Sequence, residues 1–600
     1  MKPAWLPLCV SGKQTNESGE KERRIRRNSG MTDYCRRGKM THCACMIAAV
    51  FCILLLSALP GNSHAASKAP VFWISPTGEY SIDAINVYQD DGKAYLFLPG
   101  NTDLTEYRIG FDSETLRING EEAVYSQTPA SVLSTEKAND IVLTNKKKKT
   151  KISLTVMEGS ALPSMYILTE SGSLKKIHKD KKEKEAGSLI LYDTDGSCLY
   201  SGSLKHIKMR GNSSVKYQKK NYAIKLENGA SLLGMGKAKR WILLGNHLDK
   251  SLIRNQMVFD IARYAGMAYT PDCRQVSVYI NHEYMGLYLL TEKIEPDDDR
   301  VDIRDLGKET KQLNENDPET YPVFANPYAN RGSKKGFSIP NEPDDITGGY
   351  IIEYDHDLHN YAAEPSVFVT DRCMAVIVHS PEYCSEAQIR YISDLMQGFE
   401  NAIFTQGGRD PETGKHYSEF VDFDSLVNKY LINEISKNYD SNMASEYFYK
   451  PDDSVSEKVY AGPVWDMDNT FGIYARADTR NILLPTGMLA SRRGALHYWW
   501  PELYRQPDFY QAVVERYHET FVPALEILLG QREESESLKS IDTYAAAIEK
   551  SAAMEYARYP YLKRKRYQIQ TGSNLKENAD YLKKYITKRM KYLSGVWVTE

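Results

Sequence analysis

Three aspartates stand where their types and spacing could do chemistry. Asp440 closes an apolar helix pattern, and Asp466 and Asp468 follow a β-rich hairpin pattern beside Trp465, all within 437–472, KNYDSNMASEYFYKPDDSVSEKVYAGPVWDMDNTFG. A helix end, a hairpin and a strand-end acid pair bring distant carboxylates to one edge of a sheet. Phosphoryl transfer uses such a set: one carboxylate receives a hydroxyl proton and another holds a metal on the phosphates. Acids in loops are common, so the elements that must position these three decide what they mean.

The chain has 600 residues, enough for several domains or one large domain with appendages. A hydrophobic fraction of 42% supports real cores, and 26% charged residues is ordinary for a soluble chain. A net charge of −3 argues against a general nucleic-acid or membrane-surface binder. The 42 tyrosines suit wet interfaces, or simply a tyrosine-rich core and surface.

Residues 43–59, CACMIAAVFCILLLSAL, form one long apolar run after Arg36, Arg37 and Lys39 and before the small-x-small stretch Ser63-His64-Ala65. That order is expected of a secretory signal peptide cleaved after Ala65, with an uncleaved anchor as the alternative. Residues 1–65 are therefore set apart, with Met31 or Met40 as alternative starts. Five of the nine cysteines fall in this part; Cys198, Cys273, Cys373 and Cys384 remain, without metal-ligand spacing. Pairing of Cys373 with Cys384 and two free thiols both stay open.

Residues 70–185 read as a small all-β sandwich module with a linker, its short strands separated by turns such as Asn119-Gly120. Lys146 to Lys149 reads as a solvated hairpin turn, with a nucleic-acid patch as the sharper alternative. The mixed-charge segment 175–186 reads as a linker, placing a boundary near 185. Residues 186–304 give strands, one long helical pattern capped by Asp249-Lys250-Ser251, then two more strands. In this lobe Tyr222-Ala223-Ile224-Lys225 ends an apolar strand segment on a lysine, as many strands do. Residues 305–347 are unpatterned loop. From 346 to 600 the pattern is a strand, helices at 385–404 and 422–437 (the second capped by Asp422), the acidic stretch, and helices around 508–528, 541–557 and 576–594. Trp499, Trp500 and Tyr504 read as packing residues, with glycan stacking as the alternative. No zinc motif, GxSxG elbow or Walker loop is present; a glycosidase acid pair stays open.

Taken together, RGNSS at 210–214, YAIKL at 222–226, the stretch at 232–263, YINHEYMGLYLLTEKIE at 279–295, GGYIIEYD at 348–355, and NYDS with AGPVWDMDNTFG resemble the CotH kinase family, spore-coat-protein-H-like atypical protein kinases. The resemblance implies an α+β, protein-kinase-like two-lobed domain over 186–600 (N-lobe about 186–304, C-lobe about 346–600), ending in helices. It implies a secreted, cell-surface or spore-coat enzyme that transfers the γ-phosphate of ATP to Ser or Thr of exported or coat proteins, with Mg²⁺ or Mn²⁺. Asp440 then corresponds to the catalytic acid and Asp466 to the metal-binding acid, with Asp468 assisting. Lys225, like the strand lysine of protein kinases, is expected on the phosphates, with Arg210 and Asn212 in a turn beside them. An Asn expected five residues after the catalytic acid is Ser445 here, Asn442 being only two residues on. The long helix offers Lys225 only Asp260 as a counter-charge. The alternatives are a non-catalytic scaffold or adhesin with a degenerate kinase fold, and transfer of another group such as AMP.

Overall fold

The computed structural model describes residues 72–599, apart from 91, 330–334, 356–363, 442, 474–481, 492–498 and 564–571. The expected signal peptide and its cleavage point lie outside these residues. No helix among the described residues is long and apolar enough to cross a membrane.

The first strands form two sheets, one of three and one of six strands. Alternating residues bury Phe72, Ile74 and Ile109 from the small sheet against Leu96, Leu116, Ile141 and Leu154 from the large one, which gives a sandwich core. Lys146 and Lys147 are the two left-handed residues of a tight hairpin between Asn139–Asn145 and Lys148–Glu158. Lysine 146–149 is thus a turn and strand start on an exposed edge, where charge blocks further pairing.

The boundary expected near 185 falls earlier. Ser164–Thr169 already belongs to the next unit, a closed barrel of seven strands. It pairs antiparallel with Glu185–Tyr192 and parallel with Cys273–Ile280, through Ser164↔Ser277. The 175–186 segment is therefore a connection inside the barrel, carrying a short Lys175–Lys179 helix over buried Ile177. Cys198–Arg210, Asn221–Ser231, Lys237–Leu244 and Glu283–Glu292 complete the barrel. Its interior holds Met165, Leu189, Ile207, Tyr222, Ile224 and Trp241.

Beyond the barrel, a five-stranded sheet centres on Tyr350–Tyr354, flanked by Ala375–Ser380 and Glu446–Lys450. Helices Glu386–Ile403 and Phe423–Ser436, and the terminal helices through Leu575–Val596, pack around the largest core, which also takes in the Arg254–Tyr264 helix. Asp422 caps as expected, accepting the Ser425 N–H at 2.9 Å. The 306–337 region is not featureless: it holds a Leu306–Gln312 helix and a Val323–Ala325/Lys335–Phe337 strand pair.

The long Ile541–Arg558 helix closes against the barrel through a fully buried pair, Lys219 Nζ to Glu555 Oε1 at 2.6 Å. Glu555 Oε2 also accepts the Leu287 N–H at 2.9 Å. Gly286, at φ 117°, sits where a Cβ would strike that carboxylate. Cys373 and Cys384 are both free thiols. Trp499 and Trp500 are buried, so they pack instead of offering a glycan platform.

Candidate active site

The Phe423–Ser436 helix ends in a left-handed turn. Lys437 has φ 47°, and the Asn438 N–H returns to the Asn433 carbonyl at 3.0 Å. A side-chain chain runs on from there. Asn433 Nδ2 donates to both Glu446 oxygens at 3.0 and 3.1 Å, and Asn438 Nδ2 donates to Asn433 Oδ1 at 3.1 Å. Asn438 Oδ1 in turn accepts the Asp440 N–H at 3.1 Å. On the far side, Trp500 Nε1 donates to the Ser441 carbonyl at 3.0 Å. Asp440 is thus held by buried groups on both flanks.

The second acid segment is held from the Arg254–Tyr264 helix. Asn255 Oδ1 accepts the Met467 N–H at 2.7 Å, and Arg254 Nε donates to the Thr470 carbonyl at 3.0 Å. Arg254 and Asp249 are fully buried partners 2.5 Å apart. Asp249 Oδ2 also accepts the Arg254 N–H at 2.8 Å, so the residue expected as a helix cap does cap, from a loop five residues upstream. The two acid segments are stitched directly: the Tyr439 N–H reaches the Asn469 carbonyl at 3.4 Å, and the Phe471 N–H the Ser436 carbonyl at 2.7 Å. Lys437, Ser445, Asp466 and Phe471 are all left-handed non-glycine residues, strain of the kind that clusters at functional sites.

Asp440, Asp466 and Asp468 share one electrostatic neighbourhood. Burial, then the like charges of Asp466, Asp440 and Asp249, push the Asp468 carboxyl well above the usual aspartate range, against Arg254. Burial also raises Asp466; Arg210 works against that shift and Glu353 adds to it. Glu353 lies on the central strand of the five-stranded sheet. Burial opposes its charge, but His379 Nε2 at 2.6 Å and the Ser445 N–H at 2.8 Å help hold its pKa below the usual glutamate value. Ser445, where an Asn was looked for, thus gives its backbone to Glu353; Asn442 lies outside the described residues.

Arg210 reaches this edge, its guanidinium 5.0 Å from the Trp465 ring centroid. The turn after it needs Gly211 at φ 101°, where a Cβ would run into Ser214 Oγ. Asn212 is exposed and accepts from Lys181 Nζ at 3.2 Å. Lys225 sits elsewhere on the same barrel face. Its strand register pairs it with His206, whereas Asn221 pairs with Arg210. Four residues of strand separate those rows, about 13 Å. The charges around Lys225 are Arg240, Lys205, Lys239 and Glu295; burial and the cations lower its pKa. Asp260 is engaged by Arg263 at 2.5 Å and Tyr544 Oη at 2.6 Å, away from Lys225.

The sequence reading passed over Lys208, two residues before Arg210 and so on the same face, about 7 Å along the strand. Burial and then Lys184, Lys293 and Arg210 lower its pKa. The period-two rule applied back from Arg210 would have found it. Asp249, Arg254, Asn255 and Glu353 were missed because their partners are over 90 residues away in the chain or lie on other elements.

Among the described residues no three His, Cys, Asp or Glu side chains group closely enough to hold a metal alone. The donor set nonetheless suits a hard cation that keeps waters, which needs only one or two protein carboxylates. Asp466 and Asp468 supply those, and the buried Asn469 Oδ1 beside them has no hydrogen-bond partner.

A family model described as CotH kinase protein matches residues 207–593, most of the chain. The chain belongs to the CotH kinase family. The match begins inside the Cys198–Arg210 strand and ends in the last helix, so it takes in the RGNSS turn and both acid segments of this CotH member. Membership makes it a kinase-like or spore coat protein, of a family associated with the spore coat. Curated proteins gave no match.

Proposed function

We propose that the chain is an exported protein kinase that transfers the γ-phosphate of ATP to Ser or Thr of secreted, surface or spore-coat proteins. The barrel acts as the upper lobe and the five-stranded sheet with its helices as the lower lobe of a kinase-like pair. The observation that carries this is the shared neighbourhood of Asp440, Asp466 and Asp468, with Arg210 beside Asp466. Acids crowded until burial and mutual repulsion raise their pKa values favour a bound divalent cation. Mg²⁺, or Mn²⁺ in its place, would be held by Asp466 and Asp468 and would supply charge neutralisation on the phosphates.

The chain's own groups do the rest. Asp440, fixed by Asn438 and the Trp500–Ser441 contact, orients the acceptor hydroxyl and takes its proton. Arg210 and Lys208, on one face of one strand, meet the phosphate oxygens. Lys225 and Asn212 lie outside this shortest path and contribute long-range positive charge and the turn. Labelled ATP, Mg²⁺ and a generic Ser-containing acceptor test the reading. Transfer that drops about 100-fold or more in Asp440→Asn and in Asp466→Asn is expected. Equal transfer by the wild type and both variants would leave the scaffold reading, a degenerate kinase fold at the cell surface, in its place.

A further inference from the structure

At one end of the barrel lies a cleft of about 520 Å³ that the acid site does not use. The barrel strands all start or stop at this end: Ser164, Tyr192, Cys198, Ser231, Lys237, Cys273 and Glu292 are their terminal residues. The Ser231–Gly234 connection floors the cleft, and the Ile541–Arg558 helix forms its outer wall. Its volume is that of a ligand site, and barrel mouths are common places for one.

The walls are apolar: Leu162, Leu199, Leu233 and Ile548 line them. Leu199 is 45% exposed on the rim, an apolar side chain left in water. Within the lining sits one polar group out of keeping with that surface. Gln275 is only 8% exposed, and its Oε1 has no hydrogen-bond partner. Its amide orientation is set, because Nε2 donates to the Leu252 carbonyl at 3.1 Å and to Gln256 Oε1 at 3.3 Å. A flipped amide would oppose oxygen to oxygen at both contacts. The unpaired acceptor therefore belongs to the cleft. A buried unmade hydrogen bond of this kind is costly unless something supplies the donor.

We propose that the barrel-mouth cleft binds an extended peptide segment of a partner polypeptide. The donor Gln275 Oε1 lacks is a peptide N–H, and the half-buried Gln256 beside it carries an amide nitrogen for a peptide C=O. An adjacent acceptor and donor between apolar walls complement a peptide group with apolar side chains on either side of it. Asp193 and Arg274 at the rim add one charge of each sign, so the segment needs no strong charge of its own. This site does not rest on the phosphotransfer reading.

The test uses the full chain and a pool of acetylated, amidated tetrapeptides built from Leu, Val, Ala, Ser and Gly, with saturation-transfer NMR as the readout. Wild-type protein is expected to give transfer to members of the pool. Ala547→Trp, at an exposed position on the wall, should abolish it, and Gln275→Leu should weaken binding about tenfold, both with unchanged melting profiles. Should Ala547→Trp not fold, Leu199→Arg at the exposed rim reads the same blockage. ATP with Mg²⁺ should leave the transfer unchanged. No transfer from any peptide at about 1 mM, transfer that survives the blocking variant, or displacement by ATP would each overturn the proposal.

Discussion

The acidic edge and the barrel face opposite Trp465 are mirror images in charge. On the edge, burial and Asp466, Asp440 and Asp249 push Asp468 upward. On the barrel face, burial and then Lys184, Lys208, Lys225 and Arg240 push His206 down to about 4, and Lys208 and Lys225 are lowered by cations as well. Each surface by itself carries too much of one sign, and neither relieves the other fully: only Arg210 spans to Asp466. The difference teaches that the two surfaces call for a ligand with both signs. A divalent cation held on a polyphosphate has that character, positive toward the acids and negative toward the lysines.

The comparison breaks hardest at the support of the acidic edge. Arg254→Met removes one half of a fully buried pair and leaves Asp249 uncompensated beside Asp468; a loss of about 3–5 kcal/mol in a denaturant melt is expected. Next, Asp468→Asn should relieve part of the crowding, so the thermal gain from Mn²⁺ should be smaller than in the wild type but larger than in Asp466→Asn. Loss of metal response in Asp468→Asn alone would reverse the assigned order.

A subtler break uses Glu446, whose burial raises its pKa to about 7 against the pull of Lys429 and Asn433. The folded protein then holds a proton that the unfolded chain has released, between the model carboxylate value of 4.5 and about 7. Stability from this group is therefore highest at the acid end of that window and falls as pH rises through it. Glu446→Gln should flatten that slope in melts taken from pH 5 to pH 7; an unchanged slope would assign the titration elsewhere.

The smallest effect sharpens the basic side. Lys208→Met should raise the KM for ATP about tenfold, and Lys225→Met less than about threefold, because Lys225 lies a further two rows from Arg210. The reverse ranking would return the phosphate contact to Lys225.

Local signals in the chain were legible and carried far. Asp422 as a cap, the paired lysines of the 146–147 turn and the three long C-terminal helices follow from short-range sterics and hydrogen bonding, which neighbouring residues settle among themselves. The three acids were legible as well, since their types and the helix-end and strand-end positions are written in one 36-residue stretch. Barrel closure was not: it depends on Ser164–Thr169 lying parallel to Cys273–Ile280, a pairing across about a hundred residues that no local pattern encodes. Nor was the split between Lys208 and Lys225, because both are lysines on strands and only the register tells which one stands near Arg210. The sequence determined which side chains could do the chemistry. The tertiary structure alone decided which of them meet, because burial, charge crowding and strand register are properties of elements packed together and not of any stretch read by itself.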